Sequence, residues 1–302
     1  MRYCRWRPIN NKAMNHTGKI LLYGFYTAAA VALFLYLLFP SQTISDLIVE
    51  RISQTGSDMQ VSIKEAHPVF PPGLKLEPFA VGYADLPLIH MPHVTVMPAL
   101  LSMLGNEKQI AFKGPLGHGS LKGHAELALD GQKPQTKITM NLAEVPMEVF
   151  QILQRWPNYR IAGDMTAHID YDSRKGTGGT ANVKMEITPT SIIFNPPLFG
   201  LAQMEFTQLQ AEITVTPRML QIKRCEVSGT QLEGKITGSI VFRQPLSKSR
   251  LTLSCTLKPQ PAFLADHKND AIGGMLGTAS AQQRGVIFRI SGALDNPNYV
   301  VH

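Results

Sequence analysis

The stretch Gly119–Asp130, GSLKGHAELALD, decides the fold. Leu121, Ala125, Leu127 and Leu129 fall on one side of an extended chain, and Lys122, His124 and Glu126 fall on the other. Alternate residues share a face only at a period of two; a helix would instead bring together residues three and four apart. The spacing therefore predicts a strand with one apolar face and one solvated face.

Working outward, the same alternation recurs along most of the chain. In Thr230–Arg243, Leu232, Ile236, Ile240 and Phe242 share one side, and Glu233, Lys235, Thr237 and Ser239 the other. Arg250–Lys258 sets Leu251, Leu253, Cys255 and Leu257 on a single face, which makes Cys255 a core residue. Further strands are predicted at Gln60–Glu65, Lys108–Gly114, Gln135–Leu142, Arg160–Tyr171, Thr180–Thr188, Glu205–Thr216, Met219–Ser228 and Val286–Leu294. An earlier strand follows the turn Pro71-Pro72-Gly73, with Leu74, Leu76 and Phe79 contributing apolar surface and Pro78 suited to an edge or bulge. Successive two-faced strands joined by short turns predict antiparallel sheet, because parallel units need regularly interleaved helices.

Helical signals are few. Pro146–Trp156 begins on proline and can form an apolar stripe from Met147, Phe150, Ile152 and Leu153. Pro261–Leu276 reads as a weaker helix broken at Gly273-Gly274, and Pro98–Leu104 as a single turn. Pro196-Pro197 and the glycine-rich Lys175–Gly179 read as turns. The segments 112–127 and 225–240 echo one another as strand, glycine turn and strand, which suits a sheet extended by successive hairpins.

The amino-terminal region differs. Ile20–Phe39 is a run of uncharged, mostly apolar residues long enough to cross a ~30 Å hydrocarbon layer as one helix. Tyr23, Tyr26 and Tyr36 lie toward its ends, where amphipathic rings suit the membrane interface. A cleavable signal peptide is the rival reading, with Ala28-Ala29-Ala30 as the cleavage motif. The apolar run continues to Phe39 beyond that point, which favours an uncleaved anchor. Arg2, Arg5, Arg7, Lys12 and Lys19 precede the run without any acid, so the positive-inside rule puts residues 1–19 in the cytoplasm and residues 40–302 across the membrane. Ser41–Gln54 follows as a short amphipathic helix built on Ile44, Leu47, Ile48 and Ile52, with Ser41 or Ser45 as its N-cap.

The formal net charge of +7 is mostly that tail, and the remaining chain is nearly neutral. No basic cluster of the kind nucleic acid requires is seen, so no nucleic-acid partner is expected. Of the three cysteines, Cys4 falls on the cytoplasmic side, while Cys225 and Cys255 would meet an oxidising compartment. Their spacing leaves open both a disulfide and two buried free thiols, and it matches no zinc or redox motif.

Sites of chemistry are scarce. His90 and His93 flank Pro92, which argues against a helix, and in a strand residues three apart diverge, so they make a poor metal pair. His168, Asp170 and Asp172 share one strand face, but Ile169 and Tyr171 supply the apolar face, which makes the polar trio a solvated surface. Asp266-His267 has no paired nucleophile motif. The glycine-rich stretches lack the Lys-Ser/Thr of a phosphate loop. Asn15-His16-Thr17 is a glycosylation triplet on the wrong side of the anchor. No catalytic, cofactor-binding or metal-binding residue is assigned, and the chain is expected to be non-enzymatic.

The order of elements nevertheless carries a resemblance. An anchor ending in LFPS (38–41) leads to FPPGLKLEPFAVGYADLPLIHMPHVTVMPALLSML (70–104) and IAFKGPLGHGSLKGHAEL (110–127). PMEVFQILQRW (146–156), RIAGDMTAHIDY (160–171) and a closing FRISGALDNPNY (288–299) follow. Together these resemble type II secretion system protein N of the delta-proteobacterial type, within the wider AsmA-like group of envelope proteins. The resemblance implies a mostly β protein: one N-terminal transmembrane helix followed by an elongated, curved antiparallel sheet with a few short helices. It further implies a bacterial inner-membrane location, a periplasmic main domain and partners among other type II secretion components. The AsmA-like side implies an alternative, in which an apolar groove in the sheet binds or transfers lipid.

Overall fold

The computed structural model describes residues 16–53, 59–70, 72–83, 86–100, 102, 105, 107–130, 133–154, 159–176, 178–198, 201–268 and 271–301. The chain divides into two compact units, Met1–Ser41 and Gln42–His302.

The first unit is built on helix α1 (His16–Leu37). Its apolar side chains point outward all round: Ile20, Leu21, Phe25, Leu33 and Phe34 are all exposed. The Thr27 hydroxyl donates to the Tyr23 carbonyl at 2.9 Å, so this polar group is satisfied within the helix itself. The side chains of residues 16–18, 28, 29, 32, 35 and 37 lie outside the described residues, and among the described residues no helix is long and apolar enough to count as a membrane span.

The second unit opens with α2 (Ser41–Ser53, its first residue at the boundary), which confirms the amphipathic helix. Ser45 lies inside this helix and is buried, so it is not the N-cap. From there the chain is almost entirely strand: β1 (Met59–Val69), β2 (Gly73–Tyr83), β3 (Leu86–Met91), β4 (Val94–Pro98), β5 (Glu107–Leu116), β6 (Gly119–Asp130), β7 (Lys133–Pro146) and β8 (Tyr159–Asp172). There follow β9 (Thr180–Leu198), β10 (Leu201–Phe206), β11 (Gln208–Thr216), β12 (Met219–Ser228), β13 (Leu232–Val241) and β14 (Arg250–Pro259). Strands β15 (Val286–Ala293) and β16 (Asn296–Val301) close the chain.

Among the described residues sixteen strands belong to one sheet, and neighbouring strands pair antiparallel, in the order β1-β2-β4-β5-β6-β7-β8-β9-β11-β12-β13-β14-β15-β16, with β3 and β10 off this path. Two long strands each serve two partners on one side. β2 pairs with β4 through Leu74–Leu76 and with β3 through Phe79–Tyr83. β9 pairs with β11 through Ala181–Ile187 and with β10 beyond Thr190. Tight turns need special residues: Gly117, between β5 and β6, has φ +65°, and a side chain there would strike Pro146.

Several sequence expectations are corrected. Glu205–Thr216 is two strands, divided at Thr207, whose N–H and hydroxyl both donate to the Ser228 carbonyl. Pro196-Pro197 lies within β9 rather than in a turn. Residues 195–197 take no partner in either ladder among the described residues, so the missing N–H groups cost no hydrogen bond. Pro146–Trp156 is not one helix but a 3₁₀ turn (Met147–Val149) and α3 (Gln151–Gln154), with extended Phe150 between them and residues 155–158 outside the described residues. Burial of Met147 in the core outweighs the local helical preference.

Pro261–Leu276 divides into α4 (Pro261–Asp266) and α5 (Ala271–Leu276), and the break is at His267 rather than at Gly273-Gly274. The His267 ring packs on Phe263, with centroids 4.4 Å apart. Gly273 lies so close to the His267 carbonyl that no Cβ fits there, so this glycine permits packing within a helix instead of ending one. A further helix, α6 (Ala279–Arg284), is capped by the Thr278 hydroxyl, which accepts from the Ala281 N–H.

Candidate functional site

The ladder registers place residues of successive strands side by side in rows across the sheet, and four adjacent rows on one face are apolar. The first runs Val145, Met165, Ile187, Leu209, Val227, Gly234, Leu257, Val286. All of these but Leu257 are buried, and they share the core with Phe263, Leu276 and Ala281 of α4–α6, with α6 packed on β14. The second row runs Leu121, Leu142, Ala167, Met185, Ala211, Cys225, Ile236, Cys255, Phe288, and is largely buried.

The third row is different. It crosses all fourteen strands of the main path: Pro68, Leu74, Val96, Phe112, Gly123, Met140, Ile169, Val183, Ile213, Ile222, Gly238, Leu253, Ile290 and Tyr299. No member carries a charge, and none is fully buried. A fourth row, from Ile110 through Ala125, Ile138, Tyr171, Ala181, Val215, Leu220 and Ile240 to Leu251, is also apolar and only its last member is buried. The apolar face is thus covered at one end of the strands and partly open at the other. Val96, Phe112, Ile169, Ile213 and Ile222 of the third row pack against the core yet keep part of their surface accessible, which makes this end of the face a candidate surface for an apolar ligand.

The opposite face is polar. Lys122, Asn141, His168, Lys184, Glu212 and Arg224 form one registered row. Several of these residues line a shallow, solvent-open hollow of about 480 Å³. Glu226 accepts from Arg224 and from Lys235, and these two cations hold its carboxylate below the ordinary range.

The sequence candidates sit where their strand faces put them. His168 Nδ1 lies 2.7 Å from Asn141 Oδ1 and its Nε2 lies 2.9 Å from Asp170 Oδ2, so both ring nitrogens are engaged. Thr139 donates to the other Asp170 oxygen, and Arg174 binds Asp172, whose carboxyl is held below the usual range by that contact. His90 stands on β3 opposite Ala80, while His93 lies in the turn before β4. Asp266 and His267 end α4, where Gln231 reaches Asp266 at 3.5 Å. Among the described residues no three His, Cys, Asp or Glu side chains converge as a metal site would need.

The cysteine question is settled by register. Cys225 and Cys255 both pair with Ile236, from opposite sides, and both are buried and free. Two strand spacings separate their Cα atoms by roughly 9–10 Å, beyond the reach of a disulfide. Burial pushes both thiols up to about 11, the reverse of what a nucleophile needs.

The sequence pattern marked individual strand faces but missed β3, β4, β10 and β16 as separate strands, and with them the continuity of the third row. The alternation at Leu86–Met91 and Val94–Pro98 was the available signal. No family model, no curated protein and no solved structure matches this chain.

Proposed function

We propose that this chain is a non-enzymatic, single-pass inner-membrane protein of the bacterial envelope whose sheet domain holds lipid acyl chains along its open apolar face. The observation that carries this reading is the fourteen-residue apolar row, in which no side chain is charged and none is fully buried. At about 4.8 Å per strand it offers a path on the order of 60 Å. A hydrocarbon chain matches such a surface because it needs no hydrogen bonds and gains from leaving water.

Two further features support the reading. In the sequence, Ile20–Phe39 is an uncharged, mostly apolar run that follows a tail rich in basic residues, the pattern of a single-pass anchor. Tyr299 on β16 contributes to raising the pKa of Tyr159 on β8, although six strands of the main path stand between them. In a flat sheet they would be roughly 34 Å apart and screened from one another, so their coupling favours a curved sheet.

The test is to extract the full-length chain in mild detergent and identify retained lipid by mass spectrometry. Bound phospholipid, reduced by Ile213→Glu without unfolding, is the expected result. A chain that retains no lipid removes the reading.

A second reading, a component of the type II secretion apparatus acting by protein contacts, is favoured by the motifs quoted above and by the polar outer face. Lys122 and Lys235 project from that face. Crosslinking from either position in cells should recover secretion components. Recovery of none, with secretion unaffected by deletion, removes this second reading.

A further inference from the structure

From β8 to β14 one rim of the sheet is basic, and it borders the part-exposed end of the apolar face; further along the same rim Glu107 and Asp130 stand with Lys108 and Lys133. Three neighbouring connections carry the charge. Gly178, in the turn between β8 and β9, lies against Pro217 in the turn between β11 and β12, so the turn that carries Lys175 meets the turn that carries Arg218. The Phe242 N–H donates to the Arg218 carbonyl at 2.9 Å, placing Arg243 next to that turn. The Arg243 N–H donates to the Ser249 hydroxyl at 3.2 Å, and Arg250 follows directly.

The acids along this arc are Asp172 and Asp295, and each already has a cation: Arg174 holds the first and Lys248 the second, at 2.8 Å. Lys175, Arg218, Arg243 and Arg250 are all exposed, and among the described residues none forms an ion pair. The opposite strand ends are mixed, with Glu144, Asp164, Glu205 and Glu233 beside Arg160 and Lys258. The fourth apolar row begins next to the basic rim, because Leu220, Ile240 and Leu251 stand within two or three residues of Arg218, Arg243 and Arg250.

We propose that this rim receives the phosphate of an anionic lipid headgroup while the chains of the same lipid lie on the adjoining apolar rows. This rests on the acyl-chain reading above and adds headgroup selectivity to it. Arginine suits the role because its planar guanidinium donates two parallel hydrogen bonds to a phosphate and is weakly hydrated. Charge complementarity decides the occupant: a neutral or zwitterionic lipid would leave these cations without a net counter-charge.

The experiment offers the full-length chain, in neutral detergent, equal amounts of phosphatidylglycerol and phosphatidylcholine, and counts retained lipid by native mass spectrometry. Wild type should prefer phosphatidylglycerol, and the preference should fall by about fivefold for each cation removed in R218A/R243A/R250A. The conservative R218K/R243K/R250K should keep most of it, high salt should weaken it, and millimolar inorganic phosphate should leave it intact. A triple alanine variant with unchanged preference and unchanged thermal midpoint overturns the proposal, as does its abolition by inorganic phosphate, which would mark a general anion site. Equal retention of both lipids by wild type overturns the headgroup claim alone. Retention of neither lipid overturns the acyl-chain reading beneath it.

Discussion

Cys225 and Cys255 stand on the same side of the sheet with Ile236 between them, each paired with that one residue from a different neighbouring strand. The arrangement fixes their chemistry: too far apart to bond, too buried to ionise readily. In an oxidising compartment they should remain thiols. In the Cys4→Ser background, both should resist a thiol reagent in the native protein at pH 8 and react when it is unfolded. With pKa values raised to about 11, only roughly 0.1% of each is thiolate at that pH. Non-reducing peptide mapping that finds a Cys225–Cys255 bridge would sink this prediction.

The same shift makes stability depend on pH. A thiol whose folded pKa lies above its unfolded value binds its proton more tightly in the native state. The stabilisation is complete below about pH 8.5 and is lost as pH rises through about 11. The unfolding free energy from urea titrations should therefore fall between pH 9 and 11, by on the order of 1–2 kcal/mol per thiol, with a lower midpoint. The double variant C225A/C255A starts lower, because it leaves small cavities, but its midpoint should vary less across that window. An equally steep decline in the variant would assign the effect to other groups.

Gly123 is one of two glycines on the third apolar row, and Phe112 on the neighbouring strand lies over it. An added Cβ would come within 2.5 Å of the Phe112 ring and 2.7 Å of the Thr139 carbonyl. Gly123→Ala should cost about 1–3 kcal/mol through overpacking, read as a lower denaturation midpoint. The pair F112L/G123A should recover part of the loss, because the shorter side chain leaves room. If the single variant is as stable as wild type, the ring does not sit where described.

How much of this could be read in the residues differs by level. The faces of β6, β12, β13 and β14 were legible because each strand is apolar on one side and polar on the other. Strands β3 and β4 were hidden: each is only five or six residues long, and Pro87, Pro92 and Pro98 read locally as turn chemistry. The helix expected at Pro146–Trp156 failed because Met147 is committed to the core, and tertiary burial outweighs a short periodic stripe. The third row could not be read at all. Its existence depends on how fourteen strands register, and one sequence does not reveal which residue of β7 stands beside Gly123.

Rows one and three make opposite predictions for the same residue type, and that contrast tests the site most directly. Ile187 on the first row is 1% exposed and packed within the core. Ile187→Ala removes buried methyl groups from a closed region and should cost about 2–5 kcal/mol. Ile213, four registered positions away on the third row, is only half-buried, so Ile213→Ala should cost less than half as much. Ile213→Glu sharpens the contrast: its carboxylate can reach water, so the protein should stay folded, with an unchanged far-ultraviolet circular dichroism spectrum and a modestly lower midpoint. Retained lipid should nevertheless drop severalfold, since a charge now interrupts an uncharged row that crosses every strand of the main path. Should Ile213→Glu unfold the domain as thoroughly as Ile187→Ala weakens it, the third row is closed core and the apolar face has no room for a ligand.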